Sequence, residues 1–236
     1  LAFTSAALAD DPKEGGVVNT IIQPEPPGLV LGMVQNAPTR TVSGNIYEGL
    51  LRYSTDLEPM PQLAESWEVS DDGRTYTFHL REGVTWHDGE AFTADDVVFS
   101  ADVFHRELNP SARAVLQHVE SIEATDDHTV VFTLKQPFGP FLLSFEAGTF
   151  TMVPEHLYAG TDFRNNEHND HPIGTGPFKF DNWERGTVIE LVKNEEYYEE
   201  GLPYLDGVNW HVIPDGASRA VAFENETIDV LPSGTV

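Results

Sequence analysis

Cysteine is absent from the 236 residues, which excludes disulfides, thiolate metal sites and cysteine nucleophiles. Basic residues are scarce as well: 13 lysines and arginines stand against 39 aspartates and glutamates, for a formal net charge of −26 at neutral pH. Lysine is confined to Lys13, Lys135, Lys179 and Lys193. An excess of negative charge repels phosphate backbones and anionic lipid surfaces, so no nucleic-acid partner is expected. The simple account of the acidity is a solvated surface that favours solubility, with a cation-attracting cleft as the alternative. No stretch is long and apolar enough to span a bilayer. No Gly-x-Ser-x-Gly, His-Glu-x-x-His or phosphate-loop pattern occurs. Carboxylates are so plentiful that a glycosidase-like pair could be drawn almost anywhere, which leaves an enzyme reading without specific support. The expectation is a protein that is not an enzyme and uses no cofactor.

What is present is concentrated between Leu63 and Phe104. Trp67 and Val69 alternate with polar neighbours, Asp72-Gly73 supplies a turn, and Tyr76, Phe78 and Leu80 resume the alternation, which predicts a hairpin with one buried apolar face. After Trp86 and the His87-Asp88-Gly89 turn, Thr93-Ala94-Asp95-Asp96 reads as a capped helix start, with both aspartates favourable at the positive end of the helix dipole. Val97, Val98, Ala101 and Phe104 continue it as an apolar stripe.

This order of parts resembles the bacterial extracellular solute-binding proteins, family 5, which serve ABC importers of peptides, nickel chelates and related solutes. Further blocks carry the likeness: Pro172 to Phe180 (PIGTGPFKF), then Trp183, Lys193-Asn194, Tyr197-Tyr198 and Pro203-Tyr204-Leu205-Asp206, and finally Val212-Ile213-Pro214-Asp215 with Ile228-Asp229-Val230. The resemblance runs from about Gly15 to the last residue. It implies an α/β fold, a lobe of the periplasmic-binding-protein type II kind with a mixed sheet, helices and an inserted α+β subdomain. It also implies that a second lobe, outside these residues, completes the cleft. The lobe is expected to be discontinuous, with residues 10–36 and 162–236 forming one unit and 37–161 the insertion. Family members are implied to capture solute in the periplasm, most commonly peptide, and to deliver it to permease subunits, acting as monomers. The missing cysteine removes the lipid-attachment site found in many such proteins, and Leu1 to Ala9 (LAFTSAALA) reads as the tail of a secretory signal peptide. A lobe acting as a permease-docking or sensory module remains the further alternative to solute capture and to a glycoside- or peptide-processing enzyme.

Other elements are read more coarsely. Val17 to Ile22 predicts a buried strand, pairing with later strands if the resemblance holds, and the prolines from Gln23 to Gly28 force the chain out of the sheet. Residues 39–51 predict a helix, 119–124 and 129–134 a second hairpin, 141–145 and 154–158 helix starts, and 161–171 a polar, mobile stretch that marks the best internal boundary. Strands are expected over 178–183, 188–192 and 208–213, and a helix over 217–224 closed by Asn225 in a left-handed turn.

Three loops match positions where the resembled proteins bind solute. Gln23, Glu25 and Pro26 lie on a proline-stiffened turn after the first strand. Glu146, Gly148, Thr149 and Phe150 combine a carboxylate, a close backbone approach, a hydroxyl and an aromatic face. Gly174, Thr175 and Gly176 could turn backbone amides to a solute, or the glycines could merely permit the bend beside Pro177. Each loop is open to solute contact or to a turn-forming role. Arg113 could reach the cleft lip or stay on the surface. The pairs His79 with His87 and His168 with His171 invite a metal reading, but no second shell is visible, so no metal is expected, and His87 reads as a turn residue. Trp67, Trp183 and Trp210 are expected in the core.

Overall fold

The computed structural model describes residues 12–232, so the expected signal-peptide tail lies outside the described residues. In chain order the elements are β1 (Val17–Ile21), α1 (Ala37–Ser43), β2 (Leu51–Tyr53), β3 (Pro59–Pro61), β4 (Ala64–Val69), β5 (Thr75–Leu80), α2 (Ala94–Val98), α3 (Arg106–Leu108), α4 (Pro110–Leu116), β6 (Val119–Asp126), β7 (Thr129–Leu134), α5 (Glu155–Tyr158), β8 (Phe178–Glu184), β9 (Val188–Lys193), β10 (Gly207–His211) and α6 (Gly216–Glu224). One four-stranded sheet has the order β1-β10-β9-β8, with β1 parallel to β10 and the other pairs antiparallel. A second sheet, β4-β5-β7-β6, is antiparallel throughout, and β2 pairs with β3.

Alternation builds the second sheet. Tyr76, Phe78 and Leu80 of β5 face the same way as Val130, Phe132 and Leu134 of β7, and all six are buried. Phe78, Phe132, Phe141 and Phe145 then meet with ring centroids 4.6 to 5.7 Å apart, within the range of favourable tilted and edge contacts. β4 is an edge strand, so Trp67 is only half-buried and Val69 is 43% exposed; the expected buried face belongs to β5 and not to both strands.

The helix after Thr93 starts as its sequence dictates. The Asp96 carboxylate accepts the Thr93 amide at 2.9 Å in a capping box, and also takes the Trp86 indole N–H at 3.2 Å and the Glu155 amide at 2.9 Å. Beyond Val98 the coil widens into a π-helical Phe99–His105 before α3. The stripe therefore reaches both hydrophobic clusters: Val97 and Ala101 join the one under β4-β5-β7-β6, while Phe99 and Phe104 join the one under β1-β10-β9-β8.

Several expectations shift. The helix predicted over 39–51 is α1 alone, because the chain turns at Gly44 and Ile46, Tyr47, Leu50 and Leu51 are buried on an irregular segment that leads into β2. Their spacing mimics a helical stripe, but Gly49 lies so close to another strand of backbone that a Cβ there would be 2.3 Å from the Phe145 carbonyl. Gly139–Ser144 is a 3-10 helix. Residues 161–171 form two short 3-10 turns capped by Asp162 and Asn166, and Phe163 packs against Phe99, Phe104 and Tyr158, so this polar stretch is anchored over the core. After α6 the left-handed residue is Glu226 (φ 59°), while Asn225 has φ −88°. Trp183 and Trp210 are half-buried, and Trp86 is the fully buried tryptophan.

The segment from Gly44 to Leu51 joins the parts. Glu48, 1% exposed, accepts hydrogen bonds from the hydroxyls of Tyr197 (2.8 Å), Tyr198 (2.9 Å) and Thr175 (2.9 Å) and from the Gln62 amide (3.1 Å). Burial pushes its carboxyl above the ordinary range, and the donors oppose that shift. Removing the acceptor strands the donors, each costing about 1–3 kcal/mol where buried. Glu48→Ala is therefore expected to lower unfolding free energy in urea by about 3 kcal/mol or more, against about 1 kcal/mol for Tyr197→Phe, which deletes one bond. Equal losses in the two variants would remove Glu48 from its central place.

Two histidines, His105 fully buried and His87 half-buried, bear on stability in acid. His105 donates from Nε2 to the Thr151 carbonyl at 2.7 Å and its Nδ1 accepts from the Asn109 amide at 3.3 Å; His87 donates from Nε2 to the Gly176 carbonyl at 2.9 Å while Nδ1 accepts the Gly174 amide at 3.3 Å. Both rings are thus held neutral, and burial lowers each pKa from 6.5 to about 4. A base depressed in the folded state contributes stability that is full above pH 6.5 and lost as pH falls towards 4. Glu48 and Asp96, raised by burial, act in the opposite sense, so the comparison is between variant and parent. His105→Gln should make the decline in melting temperature between pH 6.5 and 4 shallower than in the parent, and parallel curves would refute this assignment.

Candidate functional site

β1 and β10 run parallel and end at one edge of their sheet, and the β8–β9 turn lies at that edge because Val188 pairs with His211. Ligands of open α/β sheets gather outside the carboxyl ends of such strands. Gln23 is exposed there, joined to Pro24 by a cis peptide bond, and Pro26 is buried. One Glu25 carboxylate oxygen accepts the Trp183 indole N–H and the Gly186 amide, both at 2.9 Å. The Arg185 guanidinium lies over the Trp183 ring, 3.3 Å from its centroid. Glu25 thus ties the first loop to the β8–β9 turn.

The turn at 146–150 is built from both sides. Glu146 folds back on it, one carboxylate oxygen accepting the Gly148 amide at 2.7 Å and the other the Thr149 hydroxyl at 2.9 Å. From outside, the Gln35 amide and the Arg40 guanidinium both donate to the Gly148 carbonyl at 3.0 Å. Asn109 donates to the Thr149 carbonyl at 3.0 Å, and the Thr151 hydroxyl reaches the Ala147 carbonyl. A side chain at 148 would meet Arg40 Nη1 and both Glu146 oxygens at 2.8 Å, so glycine is what lets the guanidinium lie against the turn. Phe150 departs from expectation: its ring is fully buried, stacked on Phe145 at 5.3 Å, and offers no face to solvent.

The third loop turns inward. Thr175 is 1% exposed with its hydroxyl on Glu48. A Cβ at Gly174 would be 2.0 Å from the Ile46 carbonyl, and one at Gly176 2.7 Å from the Asn45 and Ile46 carbonyls. The Gly176 amide bonds to the Ile46 carbonyl at 2.9 Å and the Gly174 amide to His87, while Asn194 holds the Gly176 carbonyl at 3.1 Å. Close backbone packing, more than the bend beside Pro177, requires these glycines, and the amides of Gly174 and Gly176 are spent within the protein.

Among the described residues no hydrogen bond links the three loops directly. Two of them are fastened to the stretch between Gly28 and Leu51 instead, Arg40 holding Gly148 and Ile46 with Glu48 holding Gly174 to Gly176, while Glu25 fastens the first loop to the β8–β9 turn. Gln23 is exposed and Thr149 half-exposed, but Thr175 is buried, so the three do not line one open edge. Gln35, Arg40 and Glu48 are not singled out by the sequence, and His87, read there as a turn residue, also holds Gly174 and Gly176 through its ring. A lone carboxylate inside the apolar run Ile46 to Leu51 is the signal that could have marked Glu48. Arg113 donates to the Arg106 and Glu107 carbonyls at 3.3 and 2.8 Å on the surface. Among the described residues no group of three or more His, Asp or Glu side chains is arranged to hold a metal ion, and no helix is long and apolar enough to cross a membrane.

Comparison with known proteins accounts for this architecture. Residues 58–236 match the family described as bacterial extracellular solute-binding proteins, family 5 Middle. The chain is 35% identical over 222 residues to oligopeptide-binding protein AppA of Bacillus subtilis, covering 91% of this chain and 40% of that protein. It is 34% identical over 190 residues to glutathione-binding protein GsiB of Pectobacterium atrosepticum, covering 79% and 36%. The fold superposes on the periplasmic binding protein DppA from Helicobacter pylori in complex with the peptide STSA, with a TM-score of 0.82 and 32% identity over 93% of this chain and 47% of that one. The chain spans 36% to 40% of the length of these curated relatives. Matched over most of its residues in sequence and in fold, the chain belongs to the bacterial extracellular solute-binding proteins, family 5.

Proposed function

We propose that this chain belongs to the substrate-binding component of an ABC importer, which captures a peptide or similar small solute in the periplasm and presents it to the permease subunits. Family membership supports the class, and the relatives named for oligopeptides and glutathione support a peptide-like solute. The observation that carries the reading is the 146–150 turn, held by Gln35, Arg40, Asn109 and its own Glu146 in a fixed shape with Thr149 half-exposed. A surface already rigid before solute arrives loses little conformational entropy on binding. Solute bridging this surface and a facing lobe would favour a closed form, a population shift that a permease can read.

The proposal is of binding without chemistry. Glu146 has both oxygens committed to its own turn, and the imidazoles of His87 and His105 have both nitrogens engaged, so none of them is poised as an acid or base. It also divides the chain into residues 10–36 with 162–236 and an insertion of 37–161. This division is supported by a sheet whose strands come from both ends of the chain and by two further sheets drawn wholly from the middle.

Titration calorimetry of the whole protein against short peptides, with mass spectrometry of the recovered ligand, tests the proposal. Saturable binding with the peptide recovered intact is expected, and hydrolysed peptide or absence of binding would overturn it. Gly148→Ala, which forces the guanidinium and the Glu146 carboxylate away from the turn, is expected to weaken binding by about tenfold, or about 1.4 kcal/mol.

A further inference from the structure

We propose that Arg40 and Gln35 form a receptor for the carboxyl-terminal residue of a peptide, so that the solute is selected for a free carboxylate. The inference rests on the solute-binding reading above and names the chemistry of one end of the solute.

Arg40 is a cation with unspent donors. The carboxylate recorded against Arg40 is that of Glu146, at 4.0 Å. That distance is too long for a hydrogen bond, and both Glu146 oxygens already accept from Gly148 and Thr149. Nη2 of Arg40 is fixed on the Gly148 carbonyl, while among the described residues Nη1 and Nε make no hydrogen bond. The side chain is 44% exposed. A guanidinium anchored at one nitrogen presents its remaining N–H groups in a planar fork that fits a carboxylate.

Gln35 completes the pattern. Its amide nitrogen donates to the same Gly148 carbonyl, which fixes the side chain, and its amide oxygen accepts no hydrogen bond among the described residues. A cationic fork and a neutral acceptor, held on one carbonyl, match the –NH–CHR–COO⁻ end of a peptide: the carboxylate faces Arg40 and the last amide N–H faces Gln35. The overall charge of −26 does not forbid this, because exposed charges beyond about 8 Å are largely screened at physiological salt; Glu146, at 4.0 Å, is the carboxylate whose charge the free N–H groups of Arg40 must outweigh.

The test compares tetra-alanine with tetra-alanine amide by titration calorimetry on the whole protein. The free acid should bind the parent at least about tenfold more tightly, a difference of about 1.4 kcal/mol. Arg40→Gln should weaken the acid more than the amide, so that the preference for the acid falls by at least about tenfold, and Arg40→Lys should restore part of that preference through charge without the fork. Equal affinities for acid and amide on the parent, a comparison that needs no variant, would overturn the inference while leaving the solute-binding reading standing. Equal weakening of both ligands by Arg40→Gln would overturn it too, by reducing Arg40 to a structural support. If neither peptide binds, the peptide reading itself falls, and this inference with it.

Discussion

The buried carboxylate of Glu48 is the constraint on which the rest of this structure depends. An ionised group sealed from water is costly unless its lone pairs are satisfied, and here Thr175, Tyr197, Tyr198 and Gln62 all donate to it. These donors come from segments far apart in sequence, so satisfying one side chain fixes where the Gly174 to Gly176 loop, the Tyr197-Tyr198 pair and the chain before β4 must lie. The glycines follow from the same demand. Gly174 and Gly176 approach the Asn45 and Ile46 carbonyls too closely for any Cβ, and Gly49 does the same against Phe145 to Ala147. A charge that must be buried and a backbone that must pack closely around it thus account for one another.

From that fixed point the candidate solute surface inherits its rigidity. The Gly44 to Leu51 segment is continuous with α1, and α1 carries Arg40 against the Gly148 carbonyl. On the other side, the π-helical Phe99–His105 brings His105 to the Thr151 carbonyl, and Asn109 follows to hold Thr149. The 146–150 turn is therefore clamped between a helix that leads to Glu48 and a helix that spans both hydrophobic clusters. A binding protein gains from this arrangement, since order imposed by folding need not be imposed again by the solute.

How much of this could be read from the sequence follows a physical line. The hairpins β4–β5 and β6–β7, the capped start of α2 and the strands β8 to β10 were legible because alternation, turn residues and capping act within a few residues of each other. That β1 pairs with later strands was legible only through resemblance, and its parallel run beside β10 not at all, since nothing local announces a partner nearly two hundred residues away. The stretch 39–51 was misjudged because burial on an irregular segment and burial on a helix leave the same apolar spacing. At the site, the glycine-bearing loops were legible as special backbone. Whether that backbone faces solute or protein was not, because Gly174 and Gly148 look alike in sequence and differ only in what lies against them: another main chain for the first, a guanidinium and a carboxylate for the second.

That difference separates the parts of the molecule that fold it from the parts that recognise something. Around Thr175 every identified polar partner is internal: the Thr175 hydroxyl, the glycine amides and both nitrogens of His87 are consumed by the protein. Around Gly148 the polar groups are in surplus, with Arg40 and Gln35 each using one group to fix themselves and keeping another free. Buried polar groups without partners are costly, so surplus donors and acceptors persist only where water or a ligand can reach them. Glu146 sharpens the contrast: its oxygens accept from the Gly148 amide and the Thr149 hydroxyl, so it stands 4.0 Å from the guanidinium without taking a hydrogen bond from it. An arginine anchored on a carbonyl, with donors left over and its only recorded carboxylate at 4.0 Å, is the feature on which the proposed carboxylate receptor rests.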